Sequence, residues 1–160
     1  VLFLCTGNSA RSILAEAVLN QIGEGRFKAF SAGSLPKGEV HPYSVDLLDE
    51  LGYSTDNLRS KSWNEFAGDN APELDFVFTV CNNAASEVCP VWPGRPISAN
   101  WGIPDPASVE GSNSERRRAF VEAHRSINAK IKEFIALPLE TLKTSALQQH
   151  LAQIGKGIGI

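Results

Sequence analysis

Val1-Leu2-Phe3-Leu4-Cys5-Thr6-Gly7-Asn8-Ser9-Ala10-Arg11-Ser12 opens the chain, and its reading decides the fold. The first four residues form an apolar run. Beyond Ser12, the apolar residues Ile13, Leu14, Ala17 and Val18 recur at helical spacing. The pattern predicts a buried strand, a tight loop and a helix, in that order. A loop in that position turns backbone N–H groups toward the helix start, where the positive end of the helix dipole also lies. Together they make an anion site. The same field favours an ionised sulfur, so Cys5 is expected to be a thiolate near neutrality. Arg11 supplies a planar, permanently charged fork suited to a tetrahedral oxyanion. A bare Cys-x5-Arg says little. Strand, Gly7, Asn8, Ser12 and helix around it make it specific. The plain alternative is a buried structural cysteine beside a helix-capping turn.

Working outward, 160 residues suit one domain with a single core. Apolar residues make up 42% and charged residues 21%, ordinary proportions for a globular protein. A net charge of −3 gives no reason to expect nucleic acid. No apolar run is long enough to cross a bilayer, and no signal-peptide pattern is visible. Val1 stands inside an apparent strand, so a few native residues are expected before it. Three cysteines without a secretion signal suggest reduced, reactive thiols in the cytoplasm rather than a disulfide framework.

Along the chain, a helix is expected from about Arg11 to Gln21, ending at Gly23-Glu24-Gly25. Phe27 to Ser31 reads as the second strand. Tyr43 to Leu51 reads as a helix stopped by Gly52. The polar segment from Tyr53 to Asn70 has Trp63 and Phe66 as anchors. Leu74 to Val80 is a buried strand with Cys81 at its C-terminal end, as Cys5 is for the first. Pro96 to Ala99 is a short fourth strand, and Trp101 to Asn113 a Pro- and Gly-rich loop. Ser114 to Ile135 is a long amphipathic helix, with Ser114 as its expected cap. One more short helix falls within Leu139 to Ile154, before a frayed Gly-rich end. Alternating strands and helices imply a parallel sheet with right-handed crossovers. Ligands of such sheets bind beyond the C-terminal strand ends. Cys5, Cys81 and the Trp101 loop would meet there.

Cys81 and Cys89 enclose seven residues, Asn82 to Val88. Their sulfurs can meet if the segment bends, or they can be two packed thiols; spacing does not decide. No Cys-x2-Cys pair suggests zinc. His41, His124 and His150 lack the spacing of a ligand set, and surface or capping roles are expected for them. Arg116, Arg117 and Arg118 read as a solvated helix face, with a docking patch for an acidic redox partner as the alternative. Core packing is expected for Trp92 and Trp101.

The Cys5–Ser12 loop resembles the phosphate loop of the low-molecular-weight tyrosine phosphatases and of the arsenate reductases built on the same fold. Val80-Cys81-Asn82-Asn83-Ala84-Ala85-Ser86-Glu87-Val88-Cys89-Pro90 resembles the redox segment of the thioredoxin-coupled arsenate reductases. Trp101-Gly102-Ile103-Pro104-Asp105-Pro106 resembles their general-acid loop. The resemblance runs from Val1 to about Ile135. It implies an α/β fold of flavodoxin-like, low-molecular-weight phosphatase type: a four-stranded parallel sheet flanked by helices. Residues 1–136 would form the catalytic domain and 137–160 a helical extension of it.

The resemblance also implies roles. Cys5, Arg11, Cys81, Cys89 and Asp105 would be catalytic, and Thr6, Gly7, Asn8, Ser9, Ala10, Arg11 and Ser12 would bind the oxyanion. Ser12 would hydrogen-bond the Cys5 sulfur, and Asn8 would stiffen the loop. Arsenate would be reduced to arsenite by a Cys5 to Cys81 to Cys89 relay, a detoxifying reaction regenerated by thioredoxin, or by glutaredoxin with a low-molecular-weight thiol. No cofactor, catalytic metal, nucleic acid or membrane is implied, and a monomer is expected. Some arsenate reductases of this fold hold a structural potassium ion. The matching positions are Asn8, Glu16, Ser31 and Lys61, the last replacing an acid, so an ammonium group is expected in place of the cation.

Two departures weigh against tyrosine-phosphatase work. The phosphatases carry a second cysteine where Ala10 stands, and tyrosine where Ala107 follows Asp105-Pro106. A phosphatase on phosphotyrosine or a small phosphoester remains the alternative enzyme. A thiol-based redox sensor or anion-binding module is the alternative outside enzymes.

Overall fold

The computed structural model describes residues 1–81, 92 and 94–156. Four short strands form one sheet: β1 (Leu2–Leu4), β2 (Phe30–Ala32), β3 (Phe76–Thr79) and β4 (Ile97–Asn100). Their spatial order is β2-β1-β3-β4, and every pairing is parallel. The helices are α1 (Arg11–Ile22), α2 (Pro42–Glu50), α3 (Asn113–Ile135) and α4 (Thr144–Lys156). Short 3-10 turns occupy Trp63–Phe66 and Pro106–Ser108. This is the expected flavodoxin-like arrangement. The chain steps outward from β1 to β2, then crosses back to β3, so the order reverses beside β1.

The strands read as continuous apolar runs because both sheet faces are covered. Phe3 and Phe78 face one side, in a cluster with Trp101, Ile127, Ile131 and Phe134. Leu2, Leu4, Ala32 and Val77 face the other, against Phe66 and Trp63. Helix α1 is buried from Ser12 to Leu19 without interruption, since it lies against β1 and β2 and between α2 and α3. Its burial is therefore wider than the one-faced stripe that periodicity suggests.

Three expectations shift. The second strand starts at Phe30 rather than Phe27, because the amides of Arg26 and Phe27 both bond the Gly23 carbonyl and close a turn after α1. Helix α3 is capped by Ser112, not Ser114: the Ser112 hydroxyl accepts from Glu115 N at 3.2 Å. The last helix begins at Thr144, since Thr141 and Leu142 still turn onto the Pro138 carbonyl. It runs through Gly155 to Lys156, so the described part of the Gly-rich end is helical. Gly52 stops α2 as expected, at φ +85°.

Candidate active site

The loop between β1 and α1 is held open by its surroundings. Thr6 O accepts from Leu35 N at 3.0 Å, and Gly7 O from Lys37 N at 3.0 Å and Ser60 Oγ at 3.2 Å. Ser9 O accepts from His41 N at 2.9 Å and Ser44 Oγ at 3.1 Å. In a trans peptide the N–H points opposite the carbonyl. Carbonyls committed outward at residues 6, 7 and 9 therefore turn the amides of Gly7, Asn8 and Ala10 inward. The Gly7 amide donates to the Cys5 sulfur. Asn8 takes the left-handed conformation that asparagine tolerates, at φ 45°. Its buried side chain ties the loop together, donating to Ser12 Oγ at 2.8 Å and accepting from Lys61 N at 2.9 Å. Asn8 thus holds the loop as expected. Ser12 was expected against the Cys5 sulfur; the contact its hydroxyl makes here is with Asn8. Ala10 caps α1 without any side-chain hydrogen bond. No cap side chain therefore occupies the start of α1, where a helix offers its first amides to an anion.

Gly33, on the neighbouring strand end, admits no side chain. A Cβ there would come 2.4 Å from Thr6 O and 2.7 Å from Cys5 O. This backbone approach is a site feature that motif reading missed, although a glycine directly after a strand could have signalled it.

Arg11 reaches across to the Trp101 loop. Its Nη1 donates to Ile103 O at 3.0 Å, and its Nη2 stands 3.7 Å from Asp105 Oδ2. Its Nε is buried with no protein partner among the described residues. Asp105 is 39% exposed at its side chain. Its Oδ1 accepts from Ala107 N at 3.0 Å, which caps the 3-10 turn and fixes the carboxyl's rotamer. His41, expected as a surface or capping residue, caps α2 by accepting from Tyr43 N at 3.1 Å. Burial and the charges of Arg116 and Lys37 hold its ring below the usual histidine value, against the pull of Asp105.

The strand order brings Cys5 and Cys81 together, at the ends of adjacent strands β1 and β3. Both are buried thiols. Thr6 Oγ1 lies 3.7 Å from the Cys81 sulfur. The hydrogen bond between the two thiols pushes Cys5 well above the ordinary thiol value. Burial adds to this, while Arg11 and the Gly7 amide pull the other way. The Cys5 thiol is thus pushed opposite to the direction expected from the loop alone. Two buried sulfurs in contact do not both ionise, because the charge on one opposes ionisation of the other. Cys89 and the segment 82–91 lie outside the described residues.

Beneath the loop, Lys61, one of the four positions matched to a cation, brings its ammonium group beside Glu16. Lys61 Nζ donates to Arg59 O at 3.0 Å and stands 3.8 Å from Glu16 Oε1. Glu16 Oε2 and Ser31 Oγ have no protein partner among the described residues. Among the described residues, no group of three or more His, Cys, Asp or Glu could hold a metal ion, and no helix is long and apolar enough to cross a membrane. A cavity of about 830 Å³ opens on this side, with Glu16 and Lys61 among its lining.

Comparison with known proteins follows this geometry. Residues 1–149 match the family described as low molecular weight phosphotyrosine protein phosphatase. An arsenate reductase of Shouchella clausii is 35% identical over 134 residues, 84% of this chain and 93% of that protein. The arsenate reductase structure from Archaeoglobus fulgidus is 29% identical with a TM-score of 0.60, covering 82% of this chain and 98% of that one. A thioredoxin-dependent arsenate reductase of Corynebacterium glutamicum is 27% identical with a TM-score of 0.57. The match covers 82% of this chain and spans 59% of that longer one.

Proposed function

Because the chain belongs to the low molecular weight phosphotyrosine protein phosphatase family, we propose that it uses the family's oxyanion loop as an arsenate reductase, regenerated by thioredoxin. The observation that carries this reading is the contact between the Cys5 and Cys81 thiols at neighbouring strand ends. A phosphatase needs one sulfur in the loop; a second in hydrogen-bond contact with it suits electron transfer.

Arsenate sits on the inward amides of the loop and on Arg11. The Cys5 thiolate attacks arsenic while Asp105 protonates the departing oxygen, so that water leaves and a sulfur–arsenic bond forms. Arg11 and the Gly7 amide favour this thiolate, against burial and the Cys81 thiol. Cys81 then attacks the Cys5 sulfur, its proton passing to an arsenic-bound oxygen. The sulfur–arsenic bond breaks, its electron pair stays on arsenic, and arsenite leaves. Two thiols have become one disulfide, and As(V) has become As(III). Cys89 next attacks Cys81, freeing Cys5 and leaving a Cys81–Cys89 disulfide for thioredoxin to reduce. The enzyme acts as a monomer in the cytoplasm, where thiols stay reduced.

The test is NADPH consumption with thioredoxin and thioredoxin reductase, with and without arsenate, beside hydrolysis of an aryl phosphate. Arsenate-dependent consumption exceeding phosphate release is the expected result. Phosphate release alone would establish the phosphatase instead, and thiol oxidation without turnover a sensor. Replacing Cys89 by Ser should stop the cycle after one arsenite, leaving a Cys5–Cys81 disulfide visible by mass spectrometry. Sustained cycling by that variant would refute the relay.

A further inference from the structure

The family match ends at residue 149, inside α4. The contacts that dock this helix lie mostly beyond that point. Leu151 is fully buried and Ile154 nearly so. The Leu151 carbonyl accepts a buried hydrogen bond from the Trp101 indole, Nε1 to O 3.0 Å. Gly155 lies directly on the end of β4: a Cβ there would come 2.3 Å from Asn100 O and 3.0 Å from Trp101 Cδ1. Lys130 of α3 holds the helix end from the other side, its Nζ donating to Ile154 O at 3.1 Å.

Trp101 is the residue where β4 becomes the Asp105 loop. Its ring stacks on Phe78, centroids 4.0 Å apart at 11°. Its amide donates to Thr79 O at 2.7 Å, and two residues later Ile103 N donates to Val80 O at 3.0 Å. The Ile103 carbonyl then accepts from Arg11, which faces Asp105. One unbroken set of contacts therefore runs from α4 through Trp101 and Ile103 to the Arg11–Asp105 pair.

We propose that α4 and Trp101 position the acid: Leu151 and Gly155, by fixing the Asn100–Trp101 strand end, set where Asp105 stands relative to Arg11 and the oxyanion loop. Trp101 is a positioning residue and touches no reacting atom. The inference rests on the reading of Asp105 as general acid.

Three variants test it. Trp101→Phe keeps a ring on Phe78 and removes the indole donor. Gly155→Leu forces the helix away from Asn100. Asp105→Asn is the reference for loss of the acid. Amide hydrogen exchange should accelerate at least tenfold at Ile103 and Ala107 in the first two, and stay within twofold of the parent at Leu14 and Phe30. In arsenate-dependent NADPH oxidation, kcat should fall about tenfold with KM for arsenate within twofold. Trp101→Phe alone decides the matter if Gly155→Leu does not fold. Unchanged exchange at Ile103 and Ala107, or an equal rise at all four amides, would reduce α4 to a structural prop and overturn the inference. Parental kcat in Asp105→Asn would instead overturn the acid assignment, and the catalytic half of this inference with it, whatever the exchange rates.

Discussion

At Cys5, two local influences oppose each other. Arg11 and the Gly7 amide favour the thiolate; the Cys81 thiol and burial favour the neutral form and prevail. Removing the partner should therefore lower the Cys5 pKa. In Cys81→Ser, alkylation of Cys5 by iodoacetamide at pH 7 is expected to rise at least tenfold, with its pH midpoint moved down. Mass spectrometry of the modified peptide measures both. An unchanged rate would assign the whole effect to burial. Cys5, Arg11, Cys81 and Asp105 were legible as residues because each stands in a distinctive string. That Cys5 and Cys81 would meet was expected from their places at strand ends; their hydrogen bond in the resting thiol state was not. The Ile103 carbonyl that orients Arg11 was equally hidden, since a backbone acceptor leaves no mark on residue type.

At the scale of elements, the buried Glu16–Lys61 pair joins α1 to the segment before the Trp63–Phe66 turn. Lys61 N also anchors Asn8 of the loop. Burial raises the Glu16 carboxyl to about 7, against the lowering by Lys61. A carboxyl with a raised folded value keeps its proton longer in the folded state. Stability from this group is therefore fully present below the unfolded value, near 4.5, and is lost as pH rises toward 7. The loss is at most about 3 kcal/mol. Urea unfolding at pH 5 and pH 7.5 should show that slope in the parent and a flatter one in Glu16→Gln. Equal slopes would mean that Lys61 compensates the carboxylate fully. With an ammonium group already beside Glu16, turnover should agree within twofold in potassium and sodium at matched ionic strength. Marked activation by potassium would show that a metal cation displaces Lys61. The helices and strands were legible from apolar spacing to within a few residues. Their ends depended on hydrogen bonds invisible to spacing, such as the Ser112 cap and the turn onto Gly23.

For the whole molecule, α4 packs beside β4 and Trp101, with Leu147, Leu151 and Ile154 in the core. Leu151→Ala should cost about 2–5 kcal/mol, the range for emptying a fully buried leucine site. A lower denaturation midpoint at unchanged m would confirm it, and a loss under 1 kcal/mol would mean that α4 undocks at little cost. The parallel sheet was legible from strand–helix alternation; its order β2-β1-β3-β4 was not. The role of the tail was not, because its apolar positions do not say which surface they cover.

The neighbouring strands β1 and β3 act as a ruler for the sulfur pair. Parallel strands lie about 4.8 Å apart, and side chains alternate between faces. Inserting or deleting one residue in either strand would turn its cysteine to the opposite side of the sheet. The lengths of these two strands are therefore locked together, and natural variation in chain length should collect in the connections rather than in the few residues leading to Cys5 and Cys81.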